Sequence, residues 1–135
     1  MDWILFLSQE WLLVTILCAL LVALFYVEQQ RSGVSLGLAD VSRKLNSGEA
    51  VLLDVRESKE FNAGHIVDAL NIPYAKLKDH QSELEKYRSK TVIVVDKMGQ
   101  HAGAAAKLLR EQGFEVVRMR GGMTEWLGQN LPVVR

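Results

Sequence analysis

Seventeen consecutive residues, Trp11–Val27 (WLLVTILCALLVALFYV), carry no charge, and Thr15 is the only clearly polar side chain among them. Such a run has few stable homes. Wound as an α-helix at ~1.5 Å per residue it reaches about 26 Å, enough for a slightly thin bilayer. Trp11 and Tyr26 stand near its ends, where amphipathic rings favour the membrane–water interface. A cleaved signal peptide wants basic residues ahead of the apolar stretch, but that side offers Asp2 and Glu10 and no Lys or Arg. A lipoprotein signal wants small residues before its cysteine, and Ile16 and Leu17 precede Cys18. A buried core helix is seldom apolar all round at the start of a chain. The run predicts one N-terminal transmembrane helix, with Ile4–Leu7 either lying at the interface or extending the span. Ala19 and Ala23 suit helix association or ordinary membrane filling.

Orientation follows from the flanks. No basic side chain precedes the span, whereas Arg31, Arg43 and Lys44 follow it, which places the C-terminal part in the cytoplasm. The expected organisation is an anchor over residues 1–30, a short tether over 31–35 and one modest globular domain over 36–135. With 16 basic and 16 acidic residues the chain has no net charge, and nothing in the balance points to nucleic acid. Cys18 is the only cysteine and lies inside the apolar run, so the remainder of the chain has no thiol. Disulfides within the chain and cysteine-based metal sites are excluded.

Beyond the anchor, short apolar runs alternate with amphipathic ones. Ser35 is read as the N-cap of a helix from about Leu36 to Asn46, with Leu38, Val41 and Leu45 on one face. Strands are expected at Val51–Val55, Leu70–Ile72, Thr91–Val95 and Glu115–Met119. Helices are expected at Glu57–Asn62, Gln81–Tyr87, Ala102–Gln112 and Met123–Gln129. Nearly all-apolar strand interiors argue for an α/β fold with a central parallel sheet flanked by helices. In such folds ligands sit beyond the carboxyl ends of the strands, which is where Asp54, Asp96 and Arg120 fall.

The segment after the strongest strand is distinctive. Asp96-Lys97-Met98-Gly99-Gln100-His101 leads into the small-residue run Ala102–Ala106. A strand, a glycine-containing loop and a helix start form a cradle of backbone N–H groups suited to an activated nucleophile or an anion. Here the cradle is expected to enclose the Asp96 carboxylate.

Two sets of residues carry a resemblance. Leu53-Asp-Val-Arg-Glu57, Glu60-Phe61, Gly64-His-Ile66 and Asn71-Ile-Pro73 resemble the first signature of the rhodanese-like domain. Gly113-Phe114, Arg118-Met-Arg-Gly-Gly122 and Trp126 resemble its second. Both stand in order over roughly Val34 to Pro132. One membrane helix ahead of one such domain is similar to small bacterial inner-membrane members of the family, which implies a single-pass protein of the cytoplasmic membrane. Active members carry a persulfide on a loop cysteine and pass sulfur to an acceptor. The resemblance maps that loop onto Asp96–His101, with Asp96 at the cysteine position and His101 where arginine is common. Asp68 takes the place of a usual glycine.

A persulfide needs a sulfur nucleophile, which a carboxylate does not supply. The expectation is an inactive sulfurtransferase homologue with a degenerate loop and no catalytic residue, metal or cofactor. Asp54, Arg56, Asp96, His101 and Arg120 form the hypothetical binding pocket, with Lys97 and His101 partly offsetting the Asp96 charge. Asp54, Arg56 and Glu60 are expected to form an internal ion-pair set, which the resemblance supports. His65 reads as a packing histidine, His80 as surface and Trp126 as core. Asp96 itself has three readings: a cap of the loop and following helix, part of an altered binding pocket, or a nucleophile. The leading functional expectation is a module tethered to the bilayer by its N-terminal helix and binding a membrane-associated protein. The alternatives are a sulfur-trafficking accessory using a partner's thiol, and a hydrolase using Asp96.

Overall fold

The computed structural model describes residues 2–32 and 34–135. The chain divides into two compact units, Met1–Arg31 and Ser32–Arg135.

The first unit is helical. Helix α1 covers Asp2–Gln9 and α2 covers Trp11–Ser32. The two axes meet at 70°. Ser8 lies at the bend, its hydroxyl donating to the Leu5 carbonyl at 2.9 Å, a bond that competes with regular helix geometry. The hydroxyl of Thr15 is likewise satisfied within its helix, by the Trp11 carbonyl at 2.8 Å. Among the described residues no single helix is long and apolar enough to cross a membrane; Asp2–Gln9 and Trp11–Val27 meet that condition only as a bent pair. The tether expected over residues 31–35 includes Gly33, which lies outside the described residues. Helix α2 continues through Ser32, past the expected end of the span.

The second unit holds a five-stranded, all-parallel sheet. Its strands are β1 (Ser35–Leu36), β2 (Ala50–Asp54), β3 (Leu70–Asn71), β4 (Thr91–Val95) and β5 (Val116–Met119), in the order β1-β5-β4-β2-β3. The helices are α3 (Leu38–Asn46), α4 (Ser58–Ala63), α5 (Tyr74–Leu77), a 3-10 helix at Gln81–Tyr87, α6 (Ala102–Glu111) and α7 (Gly122–Gly128). Side chains alternate across the sheet. Leu53, Val92 and Val94 pack on one face with Leu84, Leu109 and Phe114. Leu52, Ile93 and Val95 pack on the other with Val41, Met123 and Trp126. Covering both faces explains why β4 reads as one unbroken apolar run.

Two expectations need correction. Ser35 and Leu36 do not open a helix. They form edge strand β1, whose neighbouring carbonyls at Val34 and Leu36 accept the N–H groups of Arg118 at 2.9 Å and Arg120 at 2.8 Å. Extended Gly37 (φ −70°, ψ 164°) is the N-cap instead. The helix expected at Gln81–Tyr87 is present over those residues, wound as a 3-10 helix. Glu60 is exposed and stands outside the ion-pair set of Asp54 and Arg56. The Asp68 turn is settled by its φ of 63°: the position is left-handed, which glycine adopts freely and aspartate tolerates better than most residues.

Candidate functional site

Because every strand runs the same way, Asp54, Val95 and Met119 end at one edge of the sheet. Asp54 and Val95 are direct register partners. The segment following Val95 is the loop Asp96–His101, and α6 begins at Ala102.

Asp96 is 3% exposed. Its carboxylate accepts the backbone N–H of Gly99, that of His101 at 2.5 Å and that of Ala102 at 3.3 Å. The loop therefore closes on its own first side chain, and the same carboxylate caps the start of α6. Gly99, at φ 98°, supplies the left-handed turn that aims these donors inward. Backbone donors, rather than Lys97 or His101, meet the negative charge. Lys97, Met98, Gln100 and His101 are exposed, and the His101 ring lies against Tyr74 with 4.8 Å between centroids.

The main chain of the loop is held from the other side by α7. The N–H groups of Met123 and Thr124 donate to the carbonyls of Asp96 and Lys97, both at 2.8 Å. This contact requires glycine at 122. A Cβ there would lie 2.6 Å from the Asp96 oxygen and 2.7 Å from the Lys97 oxygen, at a φ of 62°. Arg118-Met-Arg-Gly-Gly122 thus serves to bring α7 onto the loop.

Asp54 and Arg56 form a different kind of site. Asp54 is 1% and Arg56 8% exposed. Arg56 Nε donates to both carboxylate oxygens of Asp54 at 3.0 Å, and Nη2 donates to Oδ2 at 2.8 Å. The same Nη2 reaches the Gly64 carbonyl at 2.8 Å. Asn71 donates to the carbonyls of Asp54 (3.1 Å) and Arg56 (3.0 Å), locking β3 to the turn after β2. The pair is thus spent on the fold's own backbone. Arg120 is exposed and borders a shallow groove with Leu38, Asp40 and Glu125.

The remaining marked residues are structural. His65 stacks on Phe61 at 3.8 Å, and its Nδ1 lies 2.8 Å from the Phe61 carbonyl. His80 is at the surface, 3.6 Å from Glu83. Trp126 is buried and donates from Nε1 to the Pro132 carbonyl at 3.0 Å. Sequence reasoning passed over Tyr74. An aromatic directly after Asn71-Ile-Pro73 was the available signal, but only the fold sets it against His101.

Chemically, this edge presents a carboxylate whose oxygens are already bonded by loop N–H groups. It holds no thiol, since Cys18 lies in the other unit.

Known proteins place this arrangement. The model of the rhodanese-like domain matches residues 38–129. Uncharacterized protein YibN of Escherichia coli strain K12 is 34% identical over 131 residues, spanning 96% of this chain and 90% of that protein. A sulfurtransferase of Allochromatium vinosum is 34% identical over 96 residues, 70% of this chain and 88% of that one. Among solved structures, a rhodanese-related protein from Thermoplasma volcanium superposes with a TM-score of 0.69 at 31% identity, covering 76% of this chain and 98% of that one.

Proposed function

The chain belongs to the rhodanese-like domain family, and on that premise we propose that it is a membrane-tethered member that transfers no sulfur itself and binds a membrane-associated protein at the cytoplasmic face of the bacterial inner membrane. The observation that carries this reading is the Asp96 carboxylate seated in the N–H cradle. The cradle would otherwise stabilise a thiolate or bind an anionic donor. With the carboxylate in place, its donors are engaged and an incoming thiosulfate meets like charge. No second thiol is available in residues 34–135.

The same bonding weighs against Asp96 as a hydrolase nucleophile, because its oxygens are turned into the loop backbone and the side chain is almost fully buried. The tether has its own support. Asp2–Gln9 and Trp11–Val27 together, as a bent pair, have the length and composition of a span, and the match to the Escherichia coli protein takes in nearly the whole chain. A domain confined near a bilayer meets membrane-bound partners at raised effective concentration.

Two measurements test this. The full chain should show no thiosulfate:cyanide sulfur transfer above background, and turnover by contaminant-free protein would defeat the first half. Crosslinking in native membranes should trap a discrete membrane protein on the second unit. Capture only of bulk cytosolic proteins would defeat the second half.

A further inference from the structure

Starting from the amino ends of β2 and β4 and running along β2, a cavity of about 460 Å³ lies between α3, β2 and the C-terminal segment. Its apolar lining includes Leu45, Leu52, Ile66, Trp126, Leu131 and Val133. The C-terminal segment walls it rather than filling it. That segment is pinned by paired backbone bonds between His65 and Val134 (2.9 and 2.7 Å) and by the bond from Trp126 to the Pro132 carbonyl. Leu45, Leu131 and Val133 remain only half-buried, although each faces the volume. A cavity of this size and lining is in the range of small-molecule sites, which combine an apolar body with a few polar groups.

The polar lining is not evenly spread. Ser42 and Asn46 come from the last turns of α3, and Lys90 immediately precedes Thr91, the register partner of Ala50. These hydrogen-bond donors gather where β2 and β4 begin. Among the described residues Lys90 makes no ion pair. The neighbouring carboxylate of Glu49 is turned to Lys44, 3.8 Å away. The one acidic lining residue, Asp68, sits in the turn leading to Leu70, the partner of Leu53. That is about 10 Å further along β2 from Ala50. One end of the cavity is cationic and donor-rich, and its body is apolar.

From this polarity we infer that the cavity binds a small amphipathic carboxylate, with its head at Lys90, Asn46 and Ser42 and its apolar chain along Leu45, Leu52 and Trp126. The site is separate from the Asp96 loop, and it stands or falls independently of whether the domain transfers sulfur or binds a protein.

The test uses the full chain in phosphatidylcholine nanodiscs with a diazirine-bearing decanoate, crosslinked by light and mapped by mass spectrometry. Labels are expected on peptides carrying Leu45, Trp126 or Leu131–Val134, and excess unlabelled decanoate should suppress them saturably. Leu45→Trp and Val133→Trp, each filling the volume, should cut that labelling roughly tenfold, the order expected for a blocked apolar site. Two filling variants guard against one failing to fold, and hydrogen exchange in β4 reports the fold of each. Lys90→Glu should weaken labelling by the carboxylate probe while leaving that by the corresponding alcohol unchanged. Labels confined to residues 2–27, or domain labels that do not saturate or persist in folded filled variants, overturn the site. Equal loss of both probes in Lys90→Glu overturns the carboxylate head.

Discussion

Two aspartates are buried at strand ends in this domain, and their partners make them respond differently to substitution. Asp54 is paired with Arg56, both almost wholly buried. Replacing Arg56 with Met strands the carboxylate and releases the Gly64 carbonyl. The expected loss is about 3–5 kcal/mol of stability, the cost of breaking a buried pair from one side. Asp96 is held by backbone donors alone. Asp96→Ala leaves those N–H groups without their acceptor, for a smaller loss of about 1–3 kcal/mol. Chemical denaturation of the full chain, followed by hydrogen exchange in β2 and β4, ranks the two. Asp96→Cys tests the chemistry of the same position. The loop length, Gly99 and α6 stay in place, so a thiolate should find the N–H groups waiting. Asp96→Cys combined with His101→Arg should gain a persulfide after thiosulfate treatment, seen as one added sulfur by mass spectrometry. The double variant should load more than the single one, because arginine adds a bidentate anion contact. A folded double variant that gains no sulfur would mean the loop has departed from its relatives by more than these residues.

Elements meet through backbone contacts that side-chain patterns do not reveal. Helix α7 rests on the carbonyls of Asp96 and Lys97, and Gly122 makes the approach possible. Gly122→Ala should push α7 off the loop and speed exchange of the Met123 and Thr124 amides. Gly128→Ala is the control, since a Cβ there meets nothing within 4 Å. The 3-10 helix is joined to the turn after α6 by Arg88, which donates to the Gln112 carbonyl at 2.8 Å and lies 4.3 Å from the Phe114 ring centroid. Arg88 also pairs with Glu85, and its hydrogen bond holds the Glu85 carboxyl below the usual value of 4.5. A lowered folded pKa stabilises above the unfolded value and loses that contribution as pH falls through the folded one. The stability difference between wild type and Glu85→Gln should therefore be present at neutral pH and vanish in acid, and it should be small because the pair is exposed and screened. Arg88→Ala should lower the denaturation midpoint more than Glu85→Gln at neutral pH, since it also removes the Gln112 and Phe114 contacts.

At the scale of the molecule, the proposed membrane anchor precedes a domain whose Asp96–His101 loop is closed by its own first side chain. The basic residues after the apolar run set the expected topology. A reporter that works only in the cytoplasm, fused after Arg135, should be active. A reporter that works only in the periplasm should be silent there. The reverse pattern with an uncleaved N-terminus would overturn the orientation. The 70° bend between α1 and α2 bears on the two readings of Ile4–Leu7. Cysteines placed at Leu5 and Phe6 separate them: reaction with water-soluble maleimide faster than at Leu17 or Leu20 puts Ile4–Leu7 at the interface, and equally slow reaction makes it part of a bent span.

Much of this protein was legible along the chain because the signals are local and periodic. The alternation of apolar runs marked the strands, and the two signatures marked the family. The all-apolar interior of β4 argued for a sheet covered on both faces. The absence of a thiol beyond Cys18 followed from composition alone. What stayed hidden depends on which backbone groups meet across long separations. Ser35 and Leu36 resemble a helix start until β5 arrives to take their hydrogen bonds. Glu60 is expected as a third member of the ion-pair set, yet Arg56 turns its Nε and Nη2 to Asp54 and the Gly64 carbonyl while Glu60 stands exposed. Tyr74 meets His101, and Gly122 meets Asp96, only once parallel strands carry their ends to one edge. The cavity beside Lys90 arises in the same way, from α3, β2 and a C-terminal segment that share no pattern in sequence and meet only by packing.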